Sequence, residues 1–169
     1  MKKTVDAFDW VNHICKALPG GILMTTAADG QVNTMTIGWG TMGIEWGKKL
    51  FIAYVRESRY TKQMLEKNGE FTINIPVGNV DKHILGVCGT KSGRDTDKIK
   101  ELGLHTVDSD VVSVPGIQEL PLTLECKVLY KEEQDLSRIP MDILSRYYPQ
   151  GDHHHVYYAE IVNAYLIEA

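Results

Sequence analysis

The chain has 169 residues, 43% of them hydrophobic and 24% charged, and a formal net charge of -4. That length suits a single domain, 1–169, able to bury a real core, and the composition is that of a globular protein rather than a disordered one. With Lys and Arg interspersed among Asp and Glu, there is no basic stripe of the kind a nucleic-acid surface needs.

In chain order, Val5, Phe8, Val11, Ile14 and Leu18 recur at helical spacing and Pro19-Gly20-Gly21 ends the pattern, which predicts an opening helix. Asp6, Asp9 and Lys16 interrupt every apolar stretch there, so neither a leader peptide nor a membrane span is expected, and the expected location is cytoplasmic. The run GILMTTAADGQVNTMTIGW reads as two Thr-rich strands turned at Asp29-Gly30, and Lys49–Val55 as a third strand. SRYTKQMLEKNG then predicts a helix with Ser58 as its N-cap, and EFTINIP a strand ended by Pro76. Asn79–Leu102 reads as helix in two pieces, with Gly103 as a stop signal. Val111–Val114, Leu122–Tyr130 and the run from His153 onward are strand-like, with a short helix over Met141–Tyr147. Strands outnumber helices and follow one another in short antiparallel steps, without strand–helix alternation and without a G-x-G-x-x-G fingerprint. The expected fold is mainly β, a barrel with helices packed outside.

The break between the two helical pieces, CGTKSGRDTDK, has the glycines, hydroxyls and lysines of a phosphate loop. A Walker A loop is excluded, because Gly86 and Gly89 stand too close together and no apolar strand runs into them. Ser92, Gly93, Arg94 and Lys98 still offer donors and positive charge, against the plainer reading of a polar helix cap. VRESRYT brings Arg56, Ser58, Arg59 and Thr61 to the start of a helix, a set suited to a phosphate, or else to ordinary capping with solvated arginines. In NTMTIGWG, Asn33 and Thr36 lead into Gly38-Trp39-Gly40, where glycines permit close approach of a flat ligand or simply make a barrel corner with Trp39 in the core.

Asp152 precedes three histidines at the head of a strand. Neighbours on a strand face opposite ways, so only His153 and His155 could share an ion; no spaced Cys or His partner supplies the two further ligands, and no metal site is expected. One histidine contacting an anionic or flavin-like ligand fits better. Cys15, Cys88 and Cys126 are odd in number and form no C-x-x-C, so they read as reduced thiols.

Taken together and in order, NTMTIGW, VRESRYT, GEFTINIP, SGRDTDK and GDHHHVYYAEI resemble the flavin reductase-like family with the FMN-binding split-barrel fold, and among its members the flavoredoxin-like proteins. The resemblance runs from about Gly21 to Ile161 and implies an antiparallel, Greek-key split barrel that holds FMN near the interface of a homodimer. By position it implies that Asn33, Thr36, Gly38 and Trp39 line the isoalloxazine and ribityl side. Arg56, Ser58, Arg59 and Thr61 would hold the phosphate, while Ser92, Gly93 and Lys98 close over the cofactor. His154, six residues before Glu160, aligns with the family's strand histidine, with His153 as the alternative. Ile99 departs from the Phe that many members carry after the lysine.

The implied function is an FMN-dependent oxidoreductase moving electrons from NAD(P)H or a redox partner to an acceptor, with the chemistry carried by the flavin and no catalytic side chain. The alternative is a flavoredoxin-type electron carrier with permanently bound FMN and no nicotinamide site. A third reading is a split barrel that has lost flavin binding.

Overall fold

The computed structural model describes residues 1–168, beginning with a three-residue strand, β1 (Lys2–Thr4). The opening helix starts later than its periodicity suggests. Asp6 accepts from Phe8 N–H at 2.8 Å and caps a 3₁₀ turn over Ala7–Trp10, so α1 covers only Val11–Ala17. Asp29 (φ 52°) and Gly30 (φ 75°) then take the left-handed geometry of a two-residue hairpin, and β2 (Ile22–Ala28) pairs antiparallel with β3 (Gln31–Ile37) across them. A second hairpin was not anticipated. Its strands are β4 (Thr41–Glu45) and β5 (Lys48–Arg56), turned at Trp46 and Gly47, which also have positive φ.

Helix α2 (Tyr60–Lys67) takes Arg59, not Ser58, as its N-cap, and Arg59 makes no side-chain cap bond. Ser58 is held elsewhere, by Asp152. β6 (Glu70–Ile75), α3 (Lys82–Thr90) and α4 (Lys98–Leu102) fall where their signals lie, with Gly103 at φ 63° ending α4.

Val111–Val114 is not a strand. The backbone N–H groups of Asp110, Val111 and Val112 donate to the buried carboxylate of Glu125 at 2.9, 2.7 and 2.9 Å, so a side chain takes the bonds a ladder would have used. Short strands β7 (Thr106–Val107) and β8 (Gly116–Ile117) pair around this loop. β9 (Leu122–Glu133), α5 (Met141–Tyr147) and β10 (His154–Ile167) complete the chain.

The main sheet runs β3-β2-β6-β9-β10-β5-β4, all antiparallel, with β1 added to β10. β10 is its spine. One edge pairs with β9 along nearly its whole length, while the other serves β5 up to Glu160 and β1 from Tyr165. Register shifts at Tyr158/Ala159 and Ile161/Asn163 let so long a strand bend, and the sheet wraps a core that includes Ile14, Ile22, Phe51, Phe71, Leu124 and Tyr157. Burying each of the two Phe side chains contributes up to about 3 kcal/mol. A second cluster, with Leu23, Ile84, Cys88 and Ile117, seats α3 and α4 on the sheet; Cys88 is buried in it and Cys126 in the first, while Cys15 is exposed.

Candidate functional site

The open end of this sheet is where β3, β5 and β10 terminate near the starts of α2 and α4. Two adjoining recesses of about 570 Å³ each lie there, sharing Met35, Arg56 and Arg59. One is walled by Thr36, Gly38, Trp39, Tyr54 and His154; the other by Asn33, Ser58, Thr61, Ser92, Gly93 and Lys98. All twelve residues singled out in the sequence therefore border one continuous cleft.

Its electrostatics are one-sided. Arg56 donates to the carbonyls of Asp152 (2.9 Å) and Tyr147 (3.0 Å), Arg94 to that of Ser58 (3.1 Å) and Lys98 to that of Lys91 (3.1 Å). The Arg59 guanidinium has no hydrogen-bond or ion-pair partner among the described residues. None of these four cations meets a carboxylate among the described residues, whereas Lys2, Lys48, Lys49, Lys62 and Lys131 all do. The one acid on the cleft wall, Asp152, is turned to Ser58, accepting from its N–H at 3.0 Å and its hydroxyl at 2.8 Å. In a chain of net charge -4, this is a local excess of positive charge prepared for an anion.

Several of the singled-out polar groups are already engaged. Thr36 donates to the Leu85 carbonyl at 2.7 Å, tying β3 to α3, and Asn33 donates its amide to Thr61 at 3.2 Å, tying β3 to α2. Gly93 lies so close to these two elements that a Cβ there would stand 2.3 Å from Asn33 Oδ1 and 2.8 Å from Tyr60 Cδ1. Lys98 is buried, and burial lowers its pKa, an effect Arg59 reinforces.

At the other end, Gly40 packs on Phe51, where a Cβ would sit 2.6 Å from the ring, and this close approach sets Trp39 outward rather than in the core. Trp39 is 41% exposed, edge-on to Tyr147 (5.2 Å between centroids) and tilted over His154 (5.0 Å). Of the two candidate histidines it is His154 that borders the cleft. Its Nδ1 meets Tyr148 Oη at 2.7 Å, and burial together with Arg56 pushes its pKa down to about 4, so the ring is neutral at physiological pH.

Tyr148, Gln134 and Tyr147 were missed by sequence reading. They come from the end of β9 and from α5, and no spacing signal connects them with His154 before β10 is folded back. Asp152 was noted only beside the histidines; its grip on Ser58 depends on a positive φ of 52°.

A family model for the flavin reductase like domain matches residues 15–169. An uncharacterized protein of Archaeoglobus fulgidus is 33% identical over 101 residues, 60% of this chain and 56% of that protein. The chain spans less than two thirds of the length of the curated relatives it matches. Among solved structures, flavoredoxin of Desulfovibrio vulgaris superposes with a TM-score of 0.68 at 22% identity, over 88% of this chain and 69% of that one. An FMN-binding domain of a flavin reductase-like enzyme from Shewanella baltica gives 0.67 at 16% identity, over 98% and 77%. The fold, a mostly antiparallel split barrel with a few peripheral helices, is shared with them. Among the described residues no helix is long and apolar enough to cross a membrane.

Proposed function

The chain belongs to the flavin reductase-like family, and from that premise we propose that it is a redox protein that binds FMN in the cleft described above. The observation that carries this reading is the set of four cations, Arg56, Arg59, Arg94 and Lys98, none of them neutralised by a carboxylate among the described residues, gathered around the starts of α2 and α4. Such a set suits a doubly charged phosphate, and Gly93 lets the 92–94 loop pack against Asn33 and Tyr60, where any side chain would collide, so that the loop borders the same recess.

Arg59, Thr61, Ser92 and Lys98 would hold the phosphate end, with Arg56 and Arg94 adding charge. Ser58 would support this wall through Asp152. Asn33, Thr36 and the backbone to Gly38 would border the ribityl and ring portions, with Trp39 and His154 closing the far end. When bound, FMN would supply the acceptance and release of electrons. The chain's own residues position it, exclude water from one side and present neutral His154 rather than a second cation there. We assign a homodimer to the functional state. Trp46, 56% exposed, leans on Tyr158, which in turn meets Tyr130, an aromatic surface suited to a second copy.

The deciding experiment is anaerobic. The protein is loaded with FMN, free flavin is removed, NADH or NADPH is added and the visible flavin absorbance is followed. Rapid bleaching identifies a nicotinamide-dependent flavin reductase. Retained FMN that stays oxidised identifies a carrier served by a protein donor, and a chain that retains no FMN rejects the cofactor assignment.

A further inference from the structure

On the face of β10 turned away from the cleft, the structure gathers a second set of chemistry-bearing side chains. His153 and His155, two residues apart, point the same way, opposite to His154. Their ring centroids are 5.3 Å apart. Backbone pairing of Glu57 N–H to the His153 carbonyl at 3.0 Å brings the residue just beyond β5 alongside them, and the His155↔Glu133 register brings the end of β9 from the other side. Three neighbouring strand ends thus deliver two imidazoles and two carboxylates to one spot.

The ligand atoms of Glu57, His153 and His155 lie within 4.8 Å of one another. His155 Nε2 contacts Glu57 Oε2, and Lys62 straddles the same carboxylate, 3.1 Å from Oε1 and 3.0 Å from Oε2, which fixes its position beside the histidines. His153 Nε2 is 2.5 Å from Glu133 Oε1 yet is buried without forming a hydrogen bond. A buried ring nitrogen pressed against a carboxylate without a hydrogen bond, on a ring beside two further ligand groups, is the condition an ion would relieve.

We propose that Glu57, His153, His155 and Glu133 bind one divalent transition-metal ion, with Zn²⁺ the best match. Two imidazoles and two carboxylates form the N/O donor set of a four-coordinate Zn²⁺ site; Glu57, His153 and His155 are already gathered, and Glu133, which meets His153, would have to turn inward to complete a tetrahedron at about 2.0–2.2 Å. The sequence could not disclose the third and fourth ligands, because they lie far from the histidines along the chain and arrive only through sheet pairing. The site is independent of flavin binding, although it would brace the same wall. Glu57 stands between Arg56 and Ser58, and His153 follows Asp152, the residue that holds Ser58.

The competing account is two plain His–Glu ion pairs with no ion. The full chain, prepared without an affinity tag and stripped with a chelator, would be titrated with Co²⁺ as a spectroscopic probe and with Zn²⁺ by calorimetry and thermal melting. The expected result is one equivalent bound, visible absorption of tetrahedral Co²⁺ that Zn²⁺ bleaches, and a higher melting temperature with metal. Affinity should fall on the order of a hundredfold or more in His155→Ala and in Glu57→Gln, since even the loss of groups behind a ligand costs 10–100-fold. His105→Ala, which removes an exposed histidine paired with Glu119, should bind as the parent does. Metal-free melting of each variant shows whether it is folded. Absence of saturable binding by the parent chain, or equal binding by folded His153→Ala/His155→Ala, would overturn the proposal.

Discussion

The amide oxygen of Gln134 sets the tautomer of His154. The backbone N–H of His154 can only donate, so the Gln134 atom 3.2 Å away is the oxygen. That oxygen also meets Tyr148 Oη at 2.9 Å, and Tyr148 therefore donates to it. With its single proton spent, Tyr148 Oη accepts from His154 Nδ1 at 2.7 Å. The ring is left with its proton on Nδ1 and a bare Nε2, an acceptor at the edge of the cleft.

Nitrogen-15 correlation spectra of the protein should show His154 as the Nδ1–H tautomer near neutral pH. In Gln134→Leu, Tyr148 loses its acceptor and can donate to the ring, so the population should move toward Nε2–H. An Nε2–H ring in the parent protein would mean that the chain of donors is read wrongly.

Arg59→Ala and Thr61→Ala should separate the two halves of a flavin. Arg59 is free of partners among the described residues and stands where the two recesses meet, and Thr61 is buried at the start of α2 in the recess away from Trp39. Losing a charge-assisted bond costs about 1.5–3 kcal/mol. We therefore expect FMN affinity to fall roughly 10–100-fold in Arg59→Ala, with riboflavin affinity little changed. Fluorescence titration with both ligands makes the comparison, and equal losses would move the phosphate elsewhere.

Gly93→Ala tests the cradle directly. The new methyl would meet Asn33 Oδ1 at 2.3 Å and Tyr60 at 2.8 Å, and Asn33 cannot swing aside without giving up Thr61. The 92–94 loop must therefore move outward. We expect FMN affinity to drop about tenfold or more with a stability loss within the ordinary range of ~0.5–3 kcal/mol. Unchanged affinity would show that this loop does not border the ligand.

Much of this site was legible because its residues come in short local groups. VRESRYT, NTMTIGWG and SGRDTDK each keep their donors within a few positions, and helix starts and strand ends then present them together. What depends on distant pairing was not legible. Glu57 and Glu133 reach the histidines only through the register of β5, β9 and β10, and Gln134 and Tyr148 reach His154 only once β10 folds back. Val111–Val114 was misread for a related reason. Its Val-rich composition is that of a strand, but a buried carboxylate more than ten residues away claims its backbone donors.

That carboxylate makes a stability prediction. Glu125 accepts three backbone N–H groups and the Asn163 amide at 2.9 Å. Glu125→Ala leaves those donors without an acceptor, at about 1–3 kcal/mol for each one that stays buried. Urea denaturation should show a loss of roughly 3 kcal/mol or more, with faster amide exchange at Asp110, Val111 and Val112. A loss below ~1 kcal/mol would mean that water replaces the carboxylate at little cost.

The last prediction concerns pH. Burial, with Arg59 nearby, lowers the Lys98 pKa, so its ammonium form is the one the fold disfavours. Folding therefore releases a proton from this group between its lowered folded pKa and its ordinary unfolded one, and Lys98 weighs against stability fully below that window and not above it. Lys98→Met should accordingly stabilise the flavin-free protein at neutral pH and lose that advantage progressively as pH rises from the lowered folded value to the ordinary unfolded one. A bound phosphate dianion reverses the preference, because it favours the charged lysine. FMN affinity of the parent chain should then decline as pH rises through that same value, earlier than an ordinary lysine would allow, and Lys98→Met should bind weakly without that decline. Parallel titrations of FMN binding and urea stability across alkaline pH provide the check. An identical pH profile in parent and variant would place Lys98 outside the anion's reach.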